Sequence, residues 1–388
     1  MTEEAKEALE LEDIEKIREL FPVTRNKVFL NHAACSPLPR PVAEAVRRHV
    51  DEFSRFGPSH ENVKDLGKEA FAKLVNASAD QIALIGNTSI GMNIAANALS
   101  TQRGWKVVTT DLEYPSAVYP FLRNGLGLKV EYVKSIDGKI RLEDIEKAVD
   151  DRTAAVAISQ VEYANGFRHN VKATSEIAHK HGALVIVDAI QACGAVSVDV
   201  KRDDIDLLAT ACYKWLLSPP GAGFLYVRRE LVERFEPPMV GWASVDQNIF
   251  NTADFWDIWK MPYAKTASRF EVGSPSFASH IGAREALKLL LDQGMPNVEK
   301  RIFAVTDYLI ERLKDAGFTL QTPLEPQCRS GIVNFKVRNP LEMEKALEKK
   351  GIIVSARSKG IRVSPHFYNT PEEMTAVVDL TRRCLEQP

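Results

Sequence analysis

The sequence has almost no net charge, no long apolar run and no closely spaced pair of cysteines. Its 50 Lys and Arg stand against 52 Asp and Glu, so no global field draws the chain to nucleic acid or to an anionic membrane. The longest purely apolar runs, such as Ala183–Val187, fall far short of the roughly 20 residues that cross a bilayer. The five cysteines (Cys35, Cys193, Cys212, Cys328 and Cys384) are odd in number and scattered. That pattern suits reduced thiols better than a disulfide framework. A basic, apolar leader is also missing: Glu3, Glu4, Glu7, Glu10, Glu12, Asp13, Glu15 and Glu19 crowd the first twenty residues. These absences lead to the expectation of a cytoplasmic protein with no nucleic-acid or membrane partner. There is no internal repeat, and no metal is expected.

Two nucleotide signatures are incomplete. Gly86-Asn-Thr-Ser-Ile-Gly91 has the glycine spacing of a P-loop, but Met92-Asn93 stands where Lys-Ser/Thr is required. Gly125-Leu-Gly127 begins a dinucleotide fingerprint, yet Val130 replaces its third glycine and a strand follows.

What is present is ordinary globular composition, 45% hydrophobic and 26% charged, in a chain long enough for two or three domains. From about residue 80, β-rich runs (82–86, 106–110, 129–133, 154–159, 184–188, 207–210 and 223–228) alternate with helical periodicity over 89–100, 142–149 and 172–181. The alternation predicts an α/β fold with a mostly parallel sheet covered on both faces. Ligands on such sheets sit beyond the carboxyl ends of strands. Residues 236–268 break the pattern with Pro237, Pro238, Trp242, Phe250, Phe255, Trp256, Trp259, Pro262 and Tyr263, an irregular stretch expected mostly to pack or form an interface. Helices around 280–293, 297–316 and 340–350, with strands at 332–337 and 361–364, predict a smaller α+β domain. Ile14, Ile17 and Leu20 predict a helix laid on the body and closed by Pro22.

Three features collect at predicted strand ends. Thr88 and Ser89 open a helix, where free N–H groups and hydroxyls suit an anion. Asp188 leaves an apolar strand, with Gln191 three residues on; a carboxylate there needs a cation or donors. Lys214 follows another strand between Tyr213 and Trp215, a setting that desolvates an amine, lowers its pKa and makes it nucleophilic. An anion cradle, a buried carboxylate and a desolvated lysine together suit pyridoxal 5′-phosphate: Lys214 forms the imine and Asp188 keeps the ring nitrogen protonated.

The chain resembles the class V aminotransferases, a group that includes cysteine desulfurases, kynureninases and isopenicillin-N-epimerase-like proteins. The resemblance runs from Phe29-Leu-Asn-His-Ala-Ala34 through Val187-Asp-Ala-Ile-Gln191-Ala-Cys-Gly194, Tyr213-Lys214-Trp-Leu and Phe270-Glu-Val-Gly273-Ser274-Pro275 to Arg362-Val-Ser-Pro-His-Phe-Tyr-Asn369. It implies the pyridoxal-phosphate transferase fold of type I, with a seven-stranded large domain over 29–268, a small domain over 269–388, and an N-terminal segment, 1–28, packed on the small domain. It implies Lys214 as the Schiff-base lysine, Asp188 on the ring nitrogen, Gln191 on the ring hydroxyl, and Thr88, Ser89 and Tyr213 on the phosphate. Tyr114 would stack on the ring, and Arg362 would take the substrate carboxylate. Asn31 and His32 would border the substrate. Gly273 and Ser274 would reach the phosphate of a neighbouring subunit in a homodimer with shared sites.

The implied activity is that of an enzyme acting on a small α-amino acid through a Lys214 aldimine and a quinonoid. Transamination is the first expectation, with a kynureninase-like or cysteine desulfurase/C–S lyase-like reaction or epimerisation as alternatives. A cofactor-binding regulatory protein belongs to a different class, and the complete set of Lys214, Asp188, Gln191 and Arg362 argues against it. Desulfurases place a histidine where this chain has Tyr114, and a cysteine in the loop before the arginine. Ser355-Ala-Arg-Ser-Lys-Gly-Ile-Arg362 has none, and Tyr163 or Asn165 stands near the position of the desulfurase asparagine. Arg357 could contact a second anion or be solvated. His32, His280 and His366 are candidate acid–base groups or structural histidines.

Overall fold

The computed structural model describes residues 14–58, 65–99, 105–123, 125–249 and 259–386. Its strands in chain order are β1 (Val28–Phe29), β2 (Ile82–Ile85), β3 (Lys106–Thr110), β4 (Lys129–Val133), β5 (Thr153–Ser159), β6 (Leu184–Asp188), β7 (Leu207–Ala211), β8 (Gly223–Val227), β9 (Val333–Lys336), β10 (Ile352–Ile353), β11 (Ser355–Arg357) and β12 (Gly360–Val363). The main sheet has seven strands in the order β2-β8-β7-β6-β5-β3-β4. β4, β3, β5, β6 and β7 run parallel, and β8 is antiparallel to both β7 and β2. The fold is therefore α/β with a mostly parallel sheet.

Strand alternation divides the interior into two layers. Val185 and Val187 of β6 enter one apolar core, and Ile186 between them enters the other. β5, β7 and β8 are buried along their whole length, as strands with helices on both faces must be. The helix Thr88–Leu99 presses so closely on β7 that a Cβ on Gly91 would lie 2.6 Å from the Ala209 Cβ. Gly91 thus serves helix-to-sheet packing, which explains a P-loop glycine spacing without the P-loop lysine.

A three-stranded antiparallel sheet, β11-β12-β9, packs with the helices Met295–Asp315, Pro340–Lys349 and Pro371–Glu386 around a third core. The N-terminal chain joins this part: β1 pairs with β10, and Asn31 bridges Ser364. The expected helix near Ile14 is the short turn Ile14–Glu19, held where Arg18 donates to the Tyr368 carbonyl and to Glu373, each at 3.0 Å. Residues 1–13 of that expected segment lie outside the described residues, as do Phe250, Phe255 and Trp256. Among the described residues no helix is long and apolar enough to cross a membrane.

Candidate active site

The carboxyl ends of β2, β3, β5, β6 and β7 open on one edge of the sheet, because all five run the same way. Beyond them lies a cavity of about 180 Å³ whose lining includes Thr88, Tyr114, Asp188, Gln191, Lys214 and Arg362. Sequence positions hundreds of residues apart thus meet at one point.

Lys214 lies three residues past the end of β7, and its backbone is fixed from two sides. Its carbonyl accepts the hydroxyl of Ser36 and, at 3.0 Å, the N–H of Leu217; Ser36 N–H also donates to Tyr213 O at 2.8 Å. Ser36 was not singled out from the sequence, and nothing in its local context signals this clamp. The Lys214 ammonium stands 5.8 Å from the Tyr114 ring centroid and 5.9 Å from that of Tyr213. Desolvation brings its pKa down to about 8, against the opposing pull of Asp188, and the positive charges of Arg362 and Arg357 push the same way as burial.

The expected bracket of Tyr213 and Trp215 is corrected. Trp215 is fully buried, turned the other way, and donates its indole N–H to Gln191 Oε1 at 2.8 Å. Tyr114 takes its place beside the amine. Gln191 in turn donates Nε2–H to the Ala33 carbonyl at 2.9 Å, so its carboxamide ties the Lys214 loop to the N-terminal segment while lining the cavity.

Asp188 ends β6, is 2% exposed and accepts the Ile190 N–H at 2.9 Å. Burial raises its pKa to about 6, moderated by that N–H and by Lys214. No salt bridge joins Asp188 and Lys214, so the pair is coupled across the cavity.

At the opposite wall, Thr88 begins a helix of 12 residues, and its buried Oγ1 has no hydrogen-bond partner. Ser89 donates to Ser116 Oγ at 2.9 Å. Arg362 is almost fully buried; its Nη1 donates to the Tyr163 carbonyl at 2.7 Å, and its Nε has no partner. Burial first, then the nearby Arg357, holds its pKa down to about 9. Tyr163 packs edge-on to Tyr114 at 5.1 Å.

Other candidates fall elsewhere. His32 is corrected as a substrate contact: it is 0% exposed, with Nδ1 bonded to the Ser364 carbonyl at 2.9 Å and Nε2 to the Tyr368 hydroxyl at 3.0 Å. Ala33 and Ala34 line the cavity in its stead, and Asn31 lies outside the lining. His366 is likewise structural. It donates to the Trp215 carbonyl and accepts the Phe367 N–H, and burial holds its pKa near 4. Gly273, Ser274 and His280 line a separate cavity of about 1120 Å³ that also takes in Phe53, Phe56 and Trp242. Gly273 has a φ of 131°, and a Cβ there would collide with the Trp242 indole. Cys35, next to the lining residue Ala34, is exposed; partial burial raises its thiol pKa, and the charge of Lys214 opposes that rise.

Behind the two tyrosines lies a cluster the sequence did not reveal. His169 Nε2 bonds Glu162 Oε1 at 2.9 Å, Thr110 reaches the same oxygen at 3.3 Å, and Glu113 accepts the N–H and hydroxyl of Ser159 at 2.7 and 2.6 Å. One ligand atom of each of Glu113, Glu162 and His169 lies within 4.8 Å of the others. Burial raises the pKa of Glu162 to about 8 and that of Glu113 well above the usual range. A raised carboxyl pKa favours the folded state while the group is protonated. This stability is complete below the unfolded value of about 4.3 and is lost as pH climbs toward the folded value. Calorimetry of wild type and Glu162→Gln will therefore show the wild-type Tm falling more steeply between pH 5 and 8. Parallel Tm–pH curves would contradict this.

Comparison with known proteins agrees with the geometry. The family model described as aminotransferase class-V matches residues 28–377. An uncharacterized aminotransferase of Bacillus subtilis (strain 168) is 31% identical over 94% of this chain and 96% of its own. The apo structure of a cysteine desulfurase from Thermococcus onnurineus NA1 is similar with a TM-score of 0.85 at 27% identity, covering 96% of this chain and 98% of that one. A C-DES mutant with glycine covalently linked to its PLP cofactor shares the fold, with a TM-score of 0.84 at 21% identity over 94% and 98% of the two chains.

Proposed function

The chain belongs to the class V aminotransferases, and on that premise we propose that this enzyme binds pyridoxal 5′-phosphate and transaminates a small α-amino acid. The observation that carries the reading is the shared cavity of Lys214, Asp188 and Arg362, three charged groups drawn out of water at one sheet edge. Isolated charges are not kept in such a place without a ligand to hold or a proton to move.

The residues fit the cofactor. Thr88 Oγ1, buried and unpartnered at a helix N-terminus, supports a phosphate there with Ser89 and Tyr213. Tyr114 offers a ring face, Asp188 a buried anion for the pyridinium nitrogen, and Gln191 an amide near the ring hydroxyl. Lys214 Nζ is the amine for the aldehyde carbon. When bound, the cofactor supplies a protonated aromatic ring that withdraws electrons from the substrate's Cα. The protein does the rest. Arg362 binds the α-carboxylate through a planar fork and so orients Cα. Lys214 Nζ, its pKa brought down to about 8, would be the base that takes the Cα proton once the substrate amine has displaced it from the aldehyde carbon. Asp188, buried and ionised beside a cation, holds the ring proton.

A homodimer with shared sites belongs to the same proposal. Exposed Phe53, Phe56 and Trp242 around the larger cavity support burial against a second copy, and Gly273 and Ser274 on that surface would meet the partner's phosphate. The scattered, unpaired cysteines support a cytoplasmic location as part of the same proposal.

A second reading is a lyase reaction on a sulfur-containing amino acid; a relative 29% identical is named a probable cysteine desulfurase. One observation favours it: Cys35, an exposed thiol next to the lining residue Ala34, lies near enough to Lys214 to feel its charge. The test separating the two is a panel of amino acids given to the holoenzyme. Transamination predicts a keto acid with conversion of the cofactor to its amine form. Ammonia or sulfide without that form would establish the lyase reading, and α-deuterium exchange with inversion would establish epimerisation.

A further inference from the structure

Arg357 and Arg362 occupy the two strands of one hairpin. Its turn is Ser358-Lys359, both with positive φ (47° and 63°), as a two-residue loop between twisted strands requires. The register pairs Ser355 with Arg362 and Arg357 with Gly360. Residues opposite one another, and those two positions along, share a face, so the two arginines are diagonal neighbours, with side-chain origins about 7–8 Å apart. Gly360, directly opposite Arg357, is packed against the Phe335 carbonyl, Asn334 and Gln321 and puts no side chain of its own beside either arginine. Both arginines line the cavity that holds Lys214 and Asp188.

Like charges on one face of a hairpin destabilise it. Acidic partners would relieve this, but among the described residues neither guanidinium makes a salt bridge. Arg357 is exposed and donates Nη1–H only to the Ala356 carbonyl, at 2.7 Å; Arg362 donates to the Tyr163 carbonyl, and its Nε is unpartnered. Of the charged groups that line the cavity, three are cationic (Lys214, Arg357 and Arg362) and one is anionic, Asp188. If Arg362 takes the α-carboxylate, as the proposed function holds, one guanidinium on the same wall is left facing the substrate.

We propose that Arg357 forms a second anion subsite, and that the substrates are amino acids whose side chain carries a further acid group, a carboxylate or a sulfur oxyacid. The hairpin sets the span between the two acid groups. A monoacidic substrate leaves Arg357 without a partner and gains nothing from it. The inference rests on the role assigned to Arg362 and goes beyond it by naming the substrate class.

The test uses dead-end ligands that lack an amine, so that it reads binding apart from turnover. Succinate and glutarate are titrated calorimetrically into the holoenzyme against butyrate and valerate, their monoacidic counterparts. Each dicarboxylate is expected to bind about tenfold or more tightly than its counterpart, the scale of a charged hydrogen bond. Arg357→Gln erases that preference, Arg357→Lys keeps part of it, and Arg362→Gln weakens both ligand types. Equal affinity of the wild type for both ligand types, binding of neither, or a preference that survives Arg357→Gln overturns the subsite. Turnover of aspartate, glutamate and cysteine sulfinate, measured beside alanine, then tells carboxylate from sulfur-acid substrates. Reaction with alanine alone refutes the subsite and leaves the proposed function standing, whereas reaction with no amino acid refutes the latter.

Discussion

Lys214→Ala is expected to lower kcat by at least about 10²–10⁴-fold, the usual contribution of a positioned acid–base group. The side chain stands among Tyr114, Tyr213 and Asp188, and no other lysine lines the cavity. Its backbone carbonyl is held by Ser36 and Leu217, contacts that survive truncation of the side chain. The variant should therefore fold, bind the cofactor without a covalent link and fail to turn over. Added small amines should restore part of the rate, because the proton transfer needs a base near Cα more than it needs this chain. The wild-type amine, with a pKa near 8, should capture pyridoxal phosphate faster as pH rises, levelling off above that value. Single-turnover kinetics and a pH series check both expectations. Near-normal turnover of the variant would refute the assigned role.

Asp188→Asn is the second large effect. The exchange keeps shape, and the amide oxygen can still accept the Ile190 N–H at 2.9 Å, so folding should survive. The negative charge is lost, and with it the electrostatic hold on a proton at the ring nitrogen. A preorganised electrostatic contact of this kind contributes roughly 10²–10³-fold to kcat. KM should change little, because the substrate carboxylate is met by Arg362 at another wall. The Lys214 pKa should fall further, since Asp188 is the largest influence raising it. A rise in KM with kcat unchanged would instead mark Asp188 as a binding residue.

Much of the large sheet was legible because β5, β6, β7 and β8 are short apolar runs with clear breaks, the pattern of strands buried on both faces. The direction of β8 was not, although the connection from Ala211 to Gly223 holds no helix to cross over the sheet. The helix Arg40–Phe56 follows Pro37 and Pro39 and carries Pro41 in its first turn, where proline is tolerated but reads as a break. Pro115–Leu122 hides in the same way behind Pro115 and Pro120.

At the site, Lys214, Asp188, Gln191 and Thr88 stood out because each lies at or just past the end of a strand, which is where such sheets bind ligands. Side-chain direction was not legible. His32 and Trp215 adjoin lining residues yet point into the body, where their polar atoms meet Tyr368 and Gln191. The cluster of Glu113, Glu162 and His169 was hidden for another reason. Only the alignment of β3 beside β5 brings these residues together, and no spacing along the chain announces it. The hairpin that sets Arg357 beside Arg362 likewise emerges only from strand register.

The central claim is that Lys214 carries the cofactor. Borohydride reduction of the purified holoenzyme, followed by peptide mapping, tests it most directly. The account predicts a stable pyridoxyl group on the peptide containing Lys214, and none in Lys214→Ala. Label on another lysine, label that persists in the variant, or no label in the wild type would contradict it.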